Sequence, residues 1–258
     1  MYILTYRFSL LGDFQRFVPT TTSIIEWTQA LSDKGYEFLP SILDANMQIA
    51  GPAFLQHQPI VADKRVQFTT SQGDMLIRVL GNRIDFECTF VEVDDIIAAT
   101  AEKESVLSDL SRTLLGALNN PTGNRVALYV DAFLPEGNHG AFNGAYSNSN
   151  FGLTLQNAEG CVEWGHRFNT RVKLTVSESA TEVCNTIVSL ESAVLNTQNK
   201  VTGERSEVSG LHFSADINTL AESVAARFDV NNLVVFCKSA RELFTNLYPQ
   251  IQDYFTAN

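Results

Sequence analysis

The chain has 258 residues, 45% hydrophobic and 18% charged, with a formal net charge of −11. That length buries a large core, and the composition is that of an ordinary folded protein. With 18 basic against 29 acidic side chains and no basic run longer than a pair, the chain lacks the cations that phosphate neutralisation demands, which disfavours nucleic-acid binding by a broad surface. No apolar run reaches the roughly 18 residues of a membrane span.

The chain opens with alternation. Tyr2, Leu4, Tyr6 and Phe8 share one parity, which predicts a strand of the mature fold rather than a signal peptide. TTTSIIEWTQALSDKG follows as a helix, with Ser23 and Glu26 in the S-x-x-E capping-box arrangement and Gly35 at its end. Tyr36 to Asp63 is looser, holding Pro40, Pro52 and Pro59, with a short strand over Phe38 to Leu43. From Arg65 the period falls to two. RVQFTTSQGDMLIRVLGNRIDFECTF divides into three strands at Gln72-Gly73-Asp74 and at Gly81-Asn82, an antiparallel meander.

A long helix is expected from Asp94 to Asn119, where Ile97, Ala101, Leu107, Leu110, Leu114 and Leu118 recur near a 3.6 period. NRVALYVDAFLP is a strand. LPEGNHGAFNGAYSNSNFG, Leu134 to Gly152, reads as a long hairpin loop. GCVEWGHRFNTRVKLTV is a long strand with a bend or break near Asn169, and TEVCNTIVSLESAVL and SGLHFSADI are further strands. A short helix is expected over Thr219 to Phe228, capped by Asn218. The last helix starts near Asn232 and carries a wide apolar stripe, with Pro249 bending it and not ending it.

These elements predict an α+β fold: antiparallel sheet, one large or two similar, covered on one face by long amphipathic helices, in two similarly built halves. The boundary falls near residue 120, giving 1–120 and 121–258, with no linker composition to separate them from one compact unit.

The arrangement resembles a sporadically distributed family of uncharacterised bacterial proteins of about this length. The meander from Arg65 is similar to the family's "…FxSxDG…LxVxxxRFxFN…", and NRVALYVDAFLP stands where the family has roughly "RLGLRYINRI". LHFSADINTL…FDVNNLVVFCKSARELF is similar to "LDIDAF…LHxxIxxxFxxxIT". Val126 to Asp131 lacks the family's arginine before the tyrosine. The resemblance covers most of the chain. It implies a fold and no activity, and the family's sporadic distribution associates it with phage-defence and mobile-element contexts.

Motifs for nucleotide binding, Rossmann cofactors, α/β-hydrolases and zincins are absent from the sequence. Cys88, Cys161, Cys184 and Cys237 form no C-x-x-C and have no histidine at metal-ligand spacing, which reads as reduced, buried thiols in a cytoplasmic protein. No cofactor or metal is called for.

Candidates for acid–base chemistry gather around the Leu134–Gly152 loop: His139 on it, Asp131 before it, Glu163 and His166 after it. His166 shares parity with Val162, Trp164 and Phe168, which places it on the apolar face as a core or groove residue; Glu163 points the other way. Cys161 and His166 fall on opposite faces of one strand and cannot work as a pair. His212 and Asp216 share a face that reads as a solvated polar surface.

Phe142, Tyr146 and Phe151, set among Gly, Asn and Ser, are contact-type loop residues. The leading expectation is therefore a non-enzymatic interaction protein that binds a protein partner with this loop and the edge or open face of its sheet. The alternative is a hydrolase or small-ligand-binding enzyme using His139, His166 and Asp131. The stripe of the last helix also admits a homo-oligomer or larger complex.

Overall fold

Tyr6, Phe8 and Leu10 have no solvent exposure. They lie on β1 (Tyr2–Leu11), a strand hydrogen-bonded on both sides. A computed structural model describes residues 2–45, 63–135, 165–198, 203, 205–222 and 224–256. Along the chain, β1 is followed by α1 (Thr21–Ser32), β2 (Phe38–Ala45), β3 (Asp63–Thr70), β4 (Met75–Val79) and β5 (Arg83–Glu92). Then come α2 (Ile96–Ala117), β6 (Arg125–Pro135), β7 (Gly165–Ser177), β8 (Ala180–Gln198), β9 (Arg205–Thr219) and α3 (Val230–Thr256). Among the described residues the strands form one nine-stranded antiparallel sheet in the order β2-β3-β4-β5-β1-β6-β9-β8-β7. The fold is α+β.

Register places alternate residues on one apolar face. Phe8 pairs with Phe86 and Leu128, Leu128 with Ile217, and Val130 with Ala215, which pairs in turn with Val188. These join Trp27 and Leu31 of α1, Leu107, Leu110 and Leu114 of α2, and Leu233, Phe236, Ala240 and Phe244 of α3 in one hydrophobic cluster. Burying each large side chain contributes roughly 1.5–3 kcal/mol, so this cluster dominates the stability. Arg241 of α3 pairs with Glu104 of α2 and locks the two helices together.

Several local expectations are corrected. The N-cap of α1 is Thr20, whose hydroxyl accepts from the Ser23 amide at 3.1 Å while Ser23 Oγ accepts from the Thr20 amide at 2.8 Å. Ser23 thus closes the box from the N3 side, and Glu26 takes no part. Asp95 caps α2 by accepting from the amides of Ile97 and Ala98. Two left-handed residues, Asn119 (φ 61°) and Asn120 (φ 52°), follow the end of α2, a conformation asparagine tolerates better than most residues.

β7 is continuous through Asn169, which pairs with Ile187; the irregularity falls instead between Thr175 and Ser177. The segment expected to be helical from Thr219 to Phe228 forms no helix among its described residues. Thr219 still belongs to β9, its hydroxyl accepting from the Val126 amide at 3.1 Å. Phe228 bridges to Gly123 through reciprocal backbone bonds of 2.8 and 2.9 Å. Gly123 is required there, because a Cβ would strike the Leu11 carbonyl oxygen and the Leu10 side chain. α3 runs through Pro249 as expected.

Candidate functional site

Strands β6 and β7, expected to pair as a hairpin across Leu134–Gly152, are not sheet neighbours: β9 and β8 lie between them. Sequence neighbours are not sheet neighbours here, because β7 to β9 form a meander that returns to β6 from outside. Asp131 and His166 consequently lie on opposite faces. His166 is opposite Leu190, which is opposite Phe213, which is opposite Ala132, the residue after Asp131. His139, Phe142, Tyr146, Phe151, Cys161 and Glu163 lie outside the described residues.

What Asp131 does meet is a chain of ionisable groups across the face opposite the apolar one. Its Oδ2 accepts from the Tyr129 hydroxyl at 2.6 Å and lies 3.0 Å from His212 Nε2. His212 Nδ1 lies 2.7 Å from Glu191 Oε1. On the other side of Tyr129, the Arg7 guanidinium sits 4.6 Å over its ring and 3.4 Å from Glu87. Glu87 accepts from Arg78 at 2.7 Å, and Arg78 reaches Asp85 at 3.7 Å. Asp85 has no exposure, accepts from Ser9 Oγ at 2.7 Å and pairs with Arg83 at 3.0 Å. The chain of contacts crosses six neighbouring strands, from β8 to β4.

The electrostatics define what these groups can do. His212 has its pKa raised to about 9 by its hydrogen bond to Asp131; burial opposes this and the bond to Glu191 adds to it. At neutral pH it is an imidazolium donating from both ring nitrogens, which leaves it no lone pair to act as a base. Burial works to raise the Asp131 pKa, but the bonds from His212 and Tyr129 outweigh it and hold the carboxyl below its ordinary value. Burial, reinforced by Asp131, pushes the Tyr129 phenol up, so it stays protonated. The network is a set of mutually neutralised partners. His212 turns one ring nitrogen to each carboxylate, so the three cannot aim at a common ion, and among the described residues no group of His, Cys, Asp and Glu could hold a metal.

The three described thiols are equally withdrawn. Cys88, Cys184 and Cys237 are free and buried. Burial pushes Cys88 up to about 12 and Cys184 up to about 11, and raises Cys237 as well. A thiol held protonated is a poor nucleophile.

Two other features face outward. Among the described residues, the two edges of the sheet differ in character. β7 carries Arg167, Arg171 and Lys173, all exposed, the kind of charge that blunts an edge. β2 reads FLPSIL over its first six residues, with Leu39 64% and Ile42 45% exposed. Beside β7, on the apolar face, a groove of about 310 Å³ opens against α3. His166 lines it with Phe168, as its parity predicts. Among the described residues no helix is long and apolar enough to cross a membrane.

No family model matches the chain, and no curated protein matches it.

Proposed function

We propose that this protein is a non-enzymatic interaction component that captures a protein partner, and that β2 and the Leu134–Gly152 aromatics form its contact surface. The observation that carries this reading is the apolar edge strand. An edge leaves one row of backbone donors and acceptors available for strand addition, and exposed Leu39 and Ile42 supply the side-chain contacts that give such pairing its specificity. Edges are protected by charge, as on β7 here, or by proline; β2 carries Pro40, which withdraws one backbone donor and restricts the register in which a partner strand could add. The reading is further supported by the ionisable groups of the described polar face, from Glu191 to Arg78, which are committed to one another.

We take the scaffold to be two similarly built halves with the helices laid over one face. Supporting this, β1 and β6 pair with each other, and each is followed by a meander whose last strand returns to its other side. Membership of the sporadic bacterial family that the sequence resembles belongs to the same proposal.

Affinity capture from native cells tests the function. Leu39→Lys with Ile42→Lys should leave the thermal midpoint within a few degrees, since both positions are exposed, and abolish recovery of the partner. Deleting 137–150 should reduce recovery as well. Recovery of the same partners by the wild type and both variants would overturn the assignment of the surface.

A further inference from the structure

Arg167, Phe168, Asn169, Thr170 and Arg171 of β7 are exposed in succession, so both faces of this edge strand stand open. The opening has an end. Farther along, α3 takes up backbone groups of the strand: Ser239 accepts from the Thr175 amide at 3.3 Å, and Asn232 donates to the Val176 carbonyl at 3.2 Å. β7 contains no proline. Every residue of its outward row therefore has an amide to offer, whereas Pro40 interrupts the row of β2.

The two parities of β7 differ in chemistry. Arg167, Arg171 and Lys173 share one of them. The residues opposite them on β8 are Ser189, Asn185 and Val183, so the neighbouring strand sets no counter-charge across from any of the three. Among the described residues their one ion pair is that of Arg171 with Glu222, 3.7 Å apart with both side chains mostly exposed. Three cations so little compensated are a local exception in a chain of net charge −11. The other parity carries Val172 and Phe168, the latter 51% exposed. Protected edges are typically short; β7 has 13 residues and bares a phenylalanine. Its cations close the edge to basic strands, and to a second β7, which would set like charges across the seam. They leave it open to an acidic one.

We infer that β7 receives an extended acidic segment of a protein partner, added to the sheet as a further strand. The main chain of the segment pairs with the outward backbone row. Its carboxylates stand across from Arg167, Arg171 and Lys173, and an apolar side chain stands across from Phe168. Alternation fixes the spacing. The strand pairs of the described sheet are antiparallel. A segment continuing that pattern has acids at its first, third and seventh positions, opposite Lys173, Arg171 and Arg167. Its second and sixth residues are apolar, opposite Val172 and Phe168. This surface lies at the other edge of the sheet from β2, and the inference does not depend on what β2 binds.

The test uses the full chain and three fluorescein-labelled peptides in anisotropy titrations: EVETNVE, its lysine counterpart KVKTNVK, and EEEVVTN, which keeps the acidic composition and loses the alternation. Wild type should bind EVETNVE saturably, EEEVVTN more weakly and KVKTNVK at least roughly tenfold more weakly. Hydrogen exchange should show EVETNVE protecting amides of residues 166–173. Arg167→Glu with Arg171→Glu and Lys173→Glu alters only exposed positions and should keep the thermal midpoint within a few degrees. It should bind EVETNVE at least roughly tenfold more weakly than wild type and gain KVKTNVK. If that variant fails to fold, Arg167→Glu alone decides, with a loss of roughly threefold. Leu39→Lys with Ile42→Lys should bind EVETNVE as wild type does, which separates this inference from the reading of β2. Absence of saturable EVETNVE binding, equal binding of EEEVVTN, an unchanged preference in the charge-reversed variant, or loss of binding in the β2 variant would each overturn the inference. So would oligothymidylate binding more tightly than EVETNVE through the same three cations, because the edge would then be a phosphate site.

Discussion

His212 and Asp131 are 81 residues apart in the chain and meet at 3.0 Å, Nε2 to Oδ2. With Glu191 on the other ring nitrogen, the imidazole is clamped as a cation between two carboxylates on strands β6 and β8. That clamp ties together three neighbouring strands on the face away from the main core, and it makes the sheet sensitive to pH.

The sensitivity has a definite sign. The His212 pKa rises from 6.5 to about 9 on folding, so its contribution to stability is complete below pH 6.5 and is lost as pH climbs through 9. Urea midpoints of the wild type should fall across that window, and His212→Gln should flatten the fall. An unchanged slope in the variant would mean that the clamp carries no linkage. Asp131, whose folded pKa is depressed, acts in the opposite direction: its contribution is present above its ordinary 3.8 and disappears as pH drops through the folded value. Asp131→Asn should therefore lose less stability in acid than wild type.

Asp85 should be the least replaceable carboxylate. It has no exposure and answers Ser9, Arg83 and Arg78. Asp85→Ala strands those partners beside a buried face, which costs about 3–5 kcal/mol. Chemical denaturation of Asp85→Ala against wild type measures this; a change under about 1 kcal/mol would show that the arginines find other partners.

The bidentate pair of Arg227 and Glu182 should matter where a surface pair does not. Arg227 Nε and NH2 reach the two Glu182 oxygens at 3.1 and 2.8 Å, and its NH1 donates to the Asn124 carbonyl at 2.8 Å. These bonds fasten the approach to α3 onto β8 and the start of β6. Arg227→Ala is expected to cost about 1–3 kcal/mol, with Arg227→Lys recovering only part. Arg171 and Glu222, 3.7 Å apart and 64% and 68% exposed, provide the contrast: Arg171→Ala should leave the urea midpoint in place, as the screened, mobile pairs of a surface generally do.

With Cys161 replaced by serine, the three remaining thiols are Cys88, Cys184 and Cys237, all buried. Native protein at pH 8 should then react with Ellman's reagent only at the rate of unfolding, and all three should titrate at once in urea. Rapid labelling of the native variant would contradict the burial assigned to them.

Much of the fold can be read from local pattern. β3, β4 and β5 follow from two-residue alternation broken at Gly73, which adopts φ 74°, and at Gly81-Asn82. α2 follows from its apolar spacing. The failures share a cause. Local pattern says which side of a strand is apolar but not which strand lies beside it, so it pairs β6 with β7 although β9 and β8 separate them. Asn218 and Thr219 suit a helix start, yet they end β9 because Arg125 and Val126 claim them: Arg125 NH2 donates to Asn218 Oδ1 at 2.9 Å, and the Val126 amide donates to Thr219. The ionic chain was hidden for the same reason. Arg7, Glu87, Tyr129, Asp131, Glu191 and His212 each occupy the polar parity of their own strand. Only the register, which long-range packing sets, brings them into one line. A run of titratable residues on the polar parity of several strands is the signal available beforehand.

The central pair of strands has a consequence for biogenesis. β1 is flanked by β5 and β6, and Leu10 pairs with Val126 as well as Ile84. During synthesis, therefore, a strand from the middle of the sheet emerges long before its second neighbour exists. A nascent polypeptide halted just past α2 would display β1 as a bare, adhesive margin, open to chaperones or to other stalled copies. The acidic composition of the whole chain would help keep such intermediates apart until β6 arrives.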